Sequence, residues 1–163
     1  GRIPVSIPRN VGQIPVYYSK HPSHDYIDSP AAPLYSFGYG KSYTTFAYSN
    51  LVCATVKPAP GEDVLARVTF TVTNTGNRDG EEVPQLYVRD VTSSVETPHM
   101  ALKNFDRIAL RAGESRTVTF ELRHDDLALY NLKMEHVVEP GEFKVMVGAA
   151  SNDIRLEGSF RIN

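Results

Sequence analysis

Residues 64–88 read VLARVTFTVTNTGNRDGEEVPQLYV, and the pattern within them predicts paired β-strands. Over residues 64–72 apolar side chains alternate with mostly polar ones, the period of 2 expected when one face of a strand lies in a core. A cluster of Asn, Thr, Gly and Asp follows, and these residues end strands because they tolerate positive φ angles. Residues 83–88 then predict the partner strand, with Leu86 and Val88 on its core side.

Similar short strand patterns recur through the rest of the chain from residue 46 onward, with turn residues between them. About seven such strands are typical of an antiparallel β-sandwich of immunoglobulin or fibronectin III type, and this all-β class is the fold predicted here. One helical turn is expected within residues 124–132, with Asp125 or Asp126 near its start. The other predicted strands lie around residues 51–54, 107–110, 117–122, 143–147, 154–156 and 160–162.

The first 45 residues have a different composition, with six of the eleven prolines and many Tyr, Ser and Gly. They show neither the strand period nor the helix period over any length, and proline restricts strands to edges. A stretch this long without regular elements rarely stands alone in a domain. We therefore expect residues 1–45 to be an irregular, Pro-rich N-terminal extension that wraps over a neighbouring surface.

Charge and cysteine content exclude several classes of protein. The formal net charge is −2 with acidic and basic residues interspersed, which argues against a nucleic-acid partner. No apolar run approaches the roughly 20 residues that cross a bilayer, so no membrane partner is expected. Cys53 is the only cysteine, which excludes an internal disulfide, and its apolar neighbours predict a buried, inert thiol.

The segment LYSFGYGKSYTTF, residues 34–46, resembles the junction in family 3 glycoside hydrolases between an α/β sandwich domain and a fibronectin III-like domain. Residues 1–18 look like the closing segment of that α/β domain in bacterial β-glucosidases of the family. Residues 74–88, 102–122 and 138–156 continue the resemblance in the expected order. Three positions depart from the usual family pattern in loops: Ser36, Lys41 and Asn104.

The resemblance implies that residues 1–45 are the C-terminal tail of the α/β sandwich domain with the junction, and residues 46–163 the fibronectin III-like domain. It further implies a retaining, exo-acting parent enzyme, β-glucosidase-like, that removes terminal β-linked sugars from oligosaccharides. Both catalytic carboxylates are then expected upstream of Gly1, on a barrel domain and the α/β sandwich domain of the same polypeptide. The segment itself is expected to hold no catalytic residue and no cofactor, and its parent to be periplasmic or secreted.

The acidic side chains of this segment offer no convincing catalytic pair of their own. A retaining glycosidase needs two carboxyl groups about 5–5.5 Å apart. Adjacent residues of a strand point to opposite faces, so neighbouring glutamates there do not converge on one bond. Adjacent aspartates at a helix start are better explained by capping. The pairs considered are Glu81/Glu82, Asp125/Asp126 and Asp25/Asp28.

His21 and His24 have a spacing that suits metal ligands on a helix. Pro22 between them makes a helix unfavourable, and zinc needs three or four convergent ligands. We therefore predict two loop histidines and no metal site.

The aromatic side chains of the junction are the candidate functional group: Tyr35, Phe37, Tyr39, Tyr43 and Phe46. They could stack on a sugar, or they could pack the α/β domain against the sandwich. The absence of Trp, which has the largest stacking face, favours interdomain packing. Gly38 and Gly40 between them indicate a backbone that bends or approaches another closely.

Two functions of different classes remain open from the sequence. The first is a structural module of a β-glycosidase, with the loop of residues 90–102 as a candidate to reach the substrate entrance. The second is a free-standing sandwich module that binds glycan or protein, since a fold alone does not define a function. The irregular extension favours the first, because an autonomous module has no need of it.

Overall fold

The structure, a computed structural model, describes residues 1–20, 25 and 29–163, and those from residue 46 onward are almost entirely β. The described part of the extension before them contains one short 3₁₀ helix, Val11–Gln13, and one isolated bridge between Ile7 and Tyr35. The elements are β1 (Phe46–Thr55), β2 (Val64–Asn74), β3 (Gly80–Glu82), β4 (Gln85–Asp90), β5 (Ala101–Phe105), β6 (Ile108–Leu110), β7 (Ser115–Arg123), α1 (His124–Leu127), β8 (Leu129–Tyr130), β9 (His136–Val137), β10 (Gly141–Ala150) and β11 (Asp153–Ile162).

Two antiparallel sheets form the body of the molecule. The first has the strand order β1-β2-β7 and the second the order β11-β10-β4-β5. Two short ladders, β3-β6 and β8-β9, lie beside them. The predicted all-β class and antiparallel β-sandwich are thus confirmed.

Strand β2 has the alternation that its sequence predicts. Its buried residues are every second one, and Val68 and Phe70 at its centre pair with Phe120 and Val118 of β7. Their apolar faces pack against the inner face of the second sheet, where the buried residues include Leu86, Val88, Phe143, Val145 and Val147. Each fully buried side chain of this kind stabilises the fold by about 1.5–3 kcal/mol relative to exposure.

The predicted pairing of residues 83–88 with β2 is wrong. Strand β2 pairs with β1 and β7, whereas β4 lies in the other sheet between β10 and β5. Pro84 has no N–H to donate, so the ladder breaks between β3 and β4 and the chain crosses to the second sheet. The predicted core positions are confirmed, since Leu86 is fully buried and Val88 is 4% exposed.

The helical turn expected within residues 124–132 is also confirmed, although it is only the four residues of α1. The carboxylate of Asp126 accepts the backbone N–H of Arg123 at 2.8 Å and so caps its start. Among the described residues, no helix has the length and hydropathy needed to cross a membrane.

Candidate functional site

The beginning of the extension pairs with the junction, and the extension also contacts the second sheet. The N–H of Ile3 donates to the carbonyl of Tyr39 at 3.0 Å, and the N–H of Gly38 returns a bond to the carbonyl of Ile3 at 2.8 Å. The N–H of Ile7 donates to the carbonyl of Tyr35 at 2.8 Å. These bonds hold the start of the chain antiparallel to residues 35–39 of the junction.

Gly38 is a point of close approach between the extension and β4. Its φ of +81° lies in the left-handed region, and a Cβ there would overlap the buried side-chain amide of Gln85. The Gln85 amide nitrogen donates to the carbonyls of Gly38 at 3.3 Å and Ala149 at 2.7 Å, while its oxygen accepts the Tyr87 hydroxyl at 2.5 Å. Burial raises the pKa of the Tyr87 phenol, so it stays a neutral donor.

Arg2 fixes the first residues of the chain to β3. Its guanidinium donates to the carbonyl of Gly40 at 2.9 Å and forms an ion pair with Glu82. The Glu82 carboxylate is only 3% exposed and also accepts the N–H of Val83 at 2.7 Å. A buried carboxylate of this kind requires its partners, so the pair ties the extension to the sandwich.

Phe37 and Tyr18 close the same interface over the outer face of the second sheet. Their rings stack with centroids 4.2 Å apart, and Tyr18 meets Tyr87 edge-on at 5.9 Å. The Tyr18 hydroxyl accepts the N–H of Leu102 at 3.1 Å. Tyr87, Met100 and Met146 are buried beneath them as a second small core.

The other junction aromatics lie in three separate places. Tyr35 and Tyr39 contact each other at 4.9 Å with their rings tilted by 32°. Phe46 is 7% exposed within the sandwich core, and Tyr43 is 95% exposed. The five predicted residues therefore do not form one flat platform, and the choice between packing and sugar stacking stays a prediction.

A groove of about 670 Å³ runs between the extension and the edge of the sandwich. Its lining includes Tyr43, 95% exposed, and Phe105 of β5, 63% exposed. An exposed ion pair between Glu81 and Arg107 lies along its wall. The lining residues come from positions 1–4, 37–38, 41–43, 79–81, 83, 85, 102, 105 and 107.

Exposed apolar side chains concentrate in the extension. Of the fourteen large apolar residues exposed in the described part of the chain, eight lie before residue 46. Exposed apolar side chains concentrated in one segment indicate a surface that contacts another protein or domain. The eight are Val5, Ile7, Val11, Ile14, Tyr17, Leu34, Tyr35 and Tyr43.

Two of the three acidic pairs have the positions that their sequence predicts, and the third lies only partly within the described residues. Glu81 is exposed and Glu82 buried, on opposite faces of β3. Asp126 caps α1 while Asp125 points to solvent. Asp25 accepts the N–H of Ala31 at 2.8 Å; Asp28, like His21 and His24, lies outside the described residues.

Two further groups have unusual environments. Asp90 has one carboxylate oxygen buried without a hydrogen-bond partner in the described residues, and this burial raises its pKa. Cys53 was expected to be buried, but it is only partly buried. It lies on β1, an edge strand of the first sheet, and its Sγ faces Gly158 of β11. Burial raises the pKa of its thiol, which is consistent with an unreactive cysteine.

Sequence reasoning missed the residues that dock the extension: Arg2, Tyr18, Glu82 and Gln85. Only one signal was available, namely polar residues at positions 82 and 85 on either side of Pro84, next to an apolar strand. Gln85 lies 47 residues from its partner Gly38, and Glu82 lies 80 residues from its partner Arg2. A local sequence pattern does not reveal contacts at such separations.

Comparison with known proteins identifies the sandwich. The fibronectin type III-like domain family matches residues 82–151. A periplasmic β-glucosidase from Salmonella typhimurium is 40% identical over 99% of this chain and 22% of its own length. A putative β-xylosidase from Formosa agariphila is 40% identical over 95% of this chain and 21% of its own length.

A solved β-glucosidase from Erythrobacter marinus superposes with a TM-score of 0.89 at 37% identity, over 100% of this chain and 22% of the other. The chain thus spans about a fifth of the length of the relatives it matches. The expected resemblance to a segment of a β-glucosidase-like enzyme is therefore confirmed: residues 82–151 match the fibronectin type III-like domain family, and the chain corresponds, along nearly its whole length, to one segment of β-glucosidases and β-xylosidases.

Proposed function

We propose that this chain is the non-catalytic, C-terminal structural module of a retaining, exo-acting β-glycosidase, β-glucosidase-like in specificity, and that it braces the catalytic domains. The observation that carries the proposal is the apolar surface of the extension, which the sandwich leaves uncovered while it fixes the extension's other side. The partners of that surface would be the upstream barrel and α/β sandwich domains, and the substrate an oligosaccharide.

The state of the carboxylates supports a non-catalytic role. Glu82 forms an ion pair with Arg2, and Glu81 forms one with Arg107. The Asp126 carboxylate caps α1 by accepting the N–H of Arg123. General acid and nucleophile need two carboxylates converging on a solvent-accessible sugar site, so we assign catalysis to the upstream domains.

We further propose the domain division at residue 45. Residues 1–45 would be the tail of the α/β domain with the junction, and residues 46–163 the fibronectin III-like domain. The first strand of the sandwich begins at Phe46, and regular structure before it is confined to a 3₁₀ turn and one bridge in the described residues. A periplasmic or secreted location is proposed because a relative named for the periplasm matches nearly the whole chain.

The junction aromatics are proposed to divide their roles. Phe37 and Phe46 fix the extension and the first strand to the sandwich, since both contact its buried residues. Tyr35 and Tyr43 are exposed and Tyr39 is partly exposed, and these three would pack against the upstream domains.

The first test is the size of the polypeptide in its source cells, by immunoblot with an antibody against this segment. The proposal expects a band several times heavier than 18.1 kDa, and that polypeptide should hydrolyse aryl β-glycosides. A band at the segment's own size would refute the proposal and favour the free-standing binding module.

A second test addresses bracing through Val11 and Tyr43, which are 84% and 95% exposed. The double variant Val11→Ser/Tyr43→Ser should lower the Tm of the full-length glycosidase while leaving the isolated chain unchanged. Val52→Ser, at a 58% exposed position on β1, is the matched control and should leave both proteins unchanged. Equal effects of the double variant in the two proteins would contradict bracing.

A further inference from the structure

A cluster of metal-ligating side chains lies where α1 meets the β8-β9 hairpin. His124 and Asp125 open α1, and His136 lies in β9. Oδ1 of Asp125 lies 3.4 Å from Nδ1 of His124 and 4.0 Å from Nδ1 of His136. One ligand atom from each residue lies within 4.8 Å of the other two.

The backbone on both sides of the cluster is fixed by other residues. The N–H of His124 donates to the carbonyl of Asp63 at 2.9 Å, which anchors the start of α1. Tyr130 pairs with His136 in the β8-β9 ladder, and their rings lie 4.8 Å apart. The carbonyl oxygen of the Asn131 side chain accepts two N–H groups of the connecting turn at 2.9 and 3.0 Å. The ligands are thus held close together by structure that does not depend on them.

We propose that His124, Asp125 and His136 bind a divalent transition-metal ion, Zn²⁺, with water as the fourth ligand. Two imidazoles and one carboxylate suit zinc and copper better than magnesium or calcium, which take mainly oxygen ligands. Tetrahedral zinc with bonds of about 2.0–2.2 Å places its ligand atoms about 3.3–3.6 Å apart. The two separations from Asp125 are 3.4 and 4.0 Å, and all three pairs of ligand atoms lie within 4.8 Å, so binding needs side-chain movements of about 1 Å.

The surroundings of the cluster suit entry of an ion from solvent. The side chains of His124, His136 and Asp125 are 43%, 37% and 87% exposed. Within the described residues, the Asp125 carboxylate contacts only these two histidines, whereas the neighbouring Asp126 serves the cap. A bound ion would join the helical turn to the β8-β9 hairpin, whose ladder has two residue pairs.

The test is isothermal titration calorimetry of the full 163-residue chain with ZnCl₂, after purification without a histidine tag. We expect one saturable site, and His136→Gln and His124→Gln should each weaken Zn²⁺ binding by at least about tenfold, since even outer-shell changes at metal sites cost that much. Co²⁺ added instead should give the visible absorption of a four-coordinate ion, and the same variants should abolish it. Circular dichroism confirms that each variant is folded, which is expected at these exposed positions.

His21→Gln/His24→Gln and His99→Gln are the matched controls, because they remove histidines outside the cluster, and both should bind Zn²⁺ as the unaltered chain does. Three results would each overturn the proposal. They are the absence of saturable Zn²⁺ binding, binding unchanged by His124→Gln and His136→Gln, and binding lost in either control.

Discussion

Removal of Arg2 tests whether the extension is an integral part of this fold. In the native state Arg2 is the charged partner of Glu82, whose carboxylate is 3% exposed. Arg2→Ala leaves that carboxylate buried with the N–H of Val83 as its remaining hydrogen-bond donor in the described residues. An unpaired buried charge is strongly destabilising, because the protein interior solvates it far less well than water.

The expected loss of stability in Arg2→Ala follows from the burial of the Arg2 and Glu82 side chains. Breaking a fully buried pair typically costs about 3–5 kcal/mol. The Arg2 side chain is 17% exposed, so water can partly replace it, and we expect about 2–3 kcal/mol for Arg2→Ala. Adding Glu82→Gln removes the charge, and the double variant should recover about 1 kcal/mol or more relative to the sum of the two single changes.

The ion pair made by Glu81, the neighbour of Glu82 on β3, is the control. Arg107 and Glu81 form an ion pair whose side chains are 71% and 50% exposed. Arg107→Ala should therefore change the free energy of unfolding by no more than about 0.5 kcal/mol. Urea denaturation gives all four values, and limited proteolysis shows whether the extension is released first. If Arg2→Ala costs no more than Arg107→Ala, or the double variant is additive, the extension is not docked through this pair.

Other positions separate packing, backbone and charge effects. Phe70→Ala should cost about 3–5 kcal/mol in urea denaturation because Phe70 is fully buried, whereas Val52→Ala at a 58% exposed site should cost under about 0.5 kcal/mol. Gly38→Ala should cost about 2–4 kcal/mol, since a positive φ and a clash with a buried amide add together, and Gly113→Ala, with φ +76° and open space around it, should cost only about 1–2 kcal/mol. Asp90→Asn should raise Tm near neutral pH. The raised pKa of Asp90 means that the native state favours its protonated form, so the unaltered chain loses stability as the pH rises through that pKa, and the difference in Tm should vanish below a pH of about 4.

The sandwich could be predicted because its signal is local. Alternation in β2 fixes which side chains meet the core, and the turn residues after it mark where the strand ends. The position of β4 could not be predicted in the same way. All of its first four residues are buried, since the extension covers the outer face that a sandwich strand usually exposes, and the alternation is lost.

Less of the candidate site could be predicted, because its contacts join residues that are far apart in the sequence. The junction was recognisable as a motif, with Gly38 and Gly40 as close-approach positions, and both would clash if they carried a Cβ. The partners of that motif were not recognisable. Likewise, His124 and His136 are twelve positions apart, and only the β8-β9 hairpin brings them together.

The extension has two sides of opposite character, and that contrast bears on its role. On the inner side, Gln85 satisfies two carbonyls and a hydroxyl, and Glu82 holds Arg2, all at positions 5% exposed or less in the sandwich. These polar contacts specify one register, because any slip would leave buried groups unpaired. The outer side carries apolar side chains such as Val11 and Tyr43 in solvent, where they add nothing to the stability of the chain alone. A segment that is fixed in register on one side and apolar on the other is suited to hold a second domain at a defined position on the sandwich.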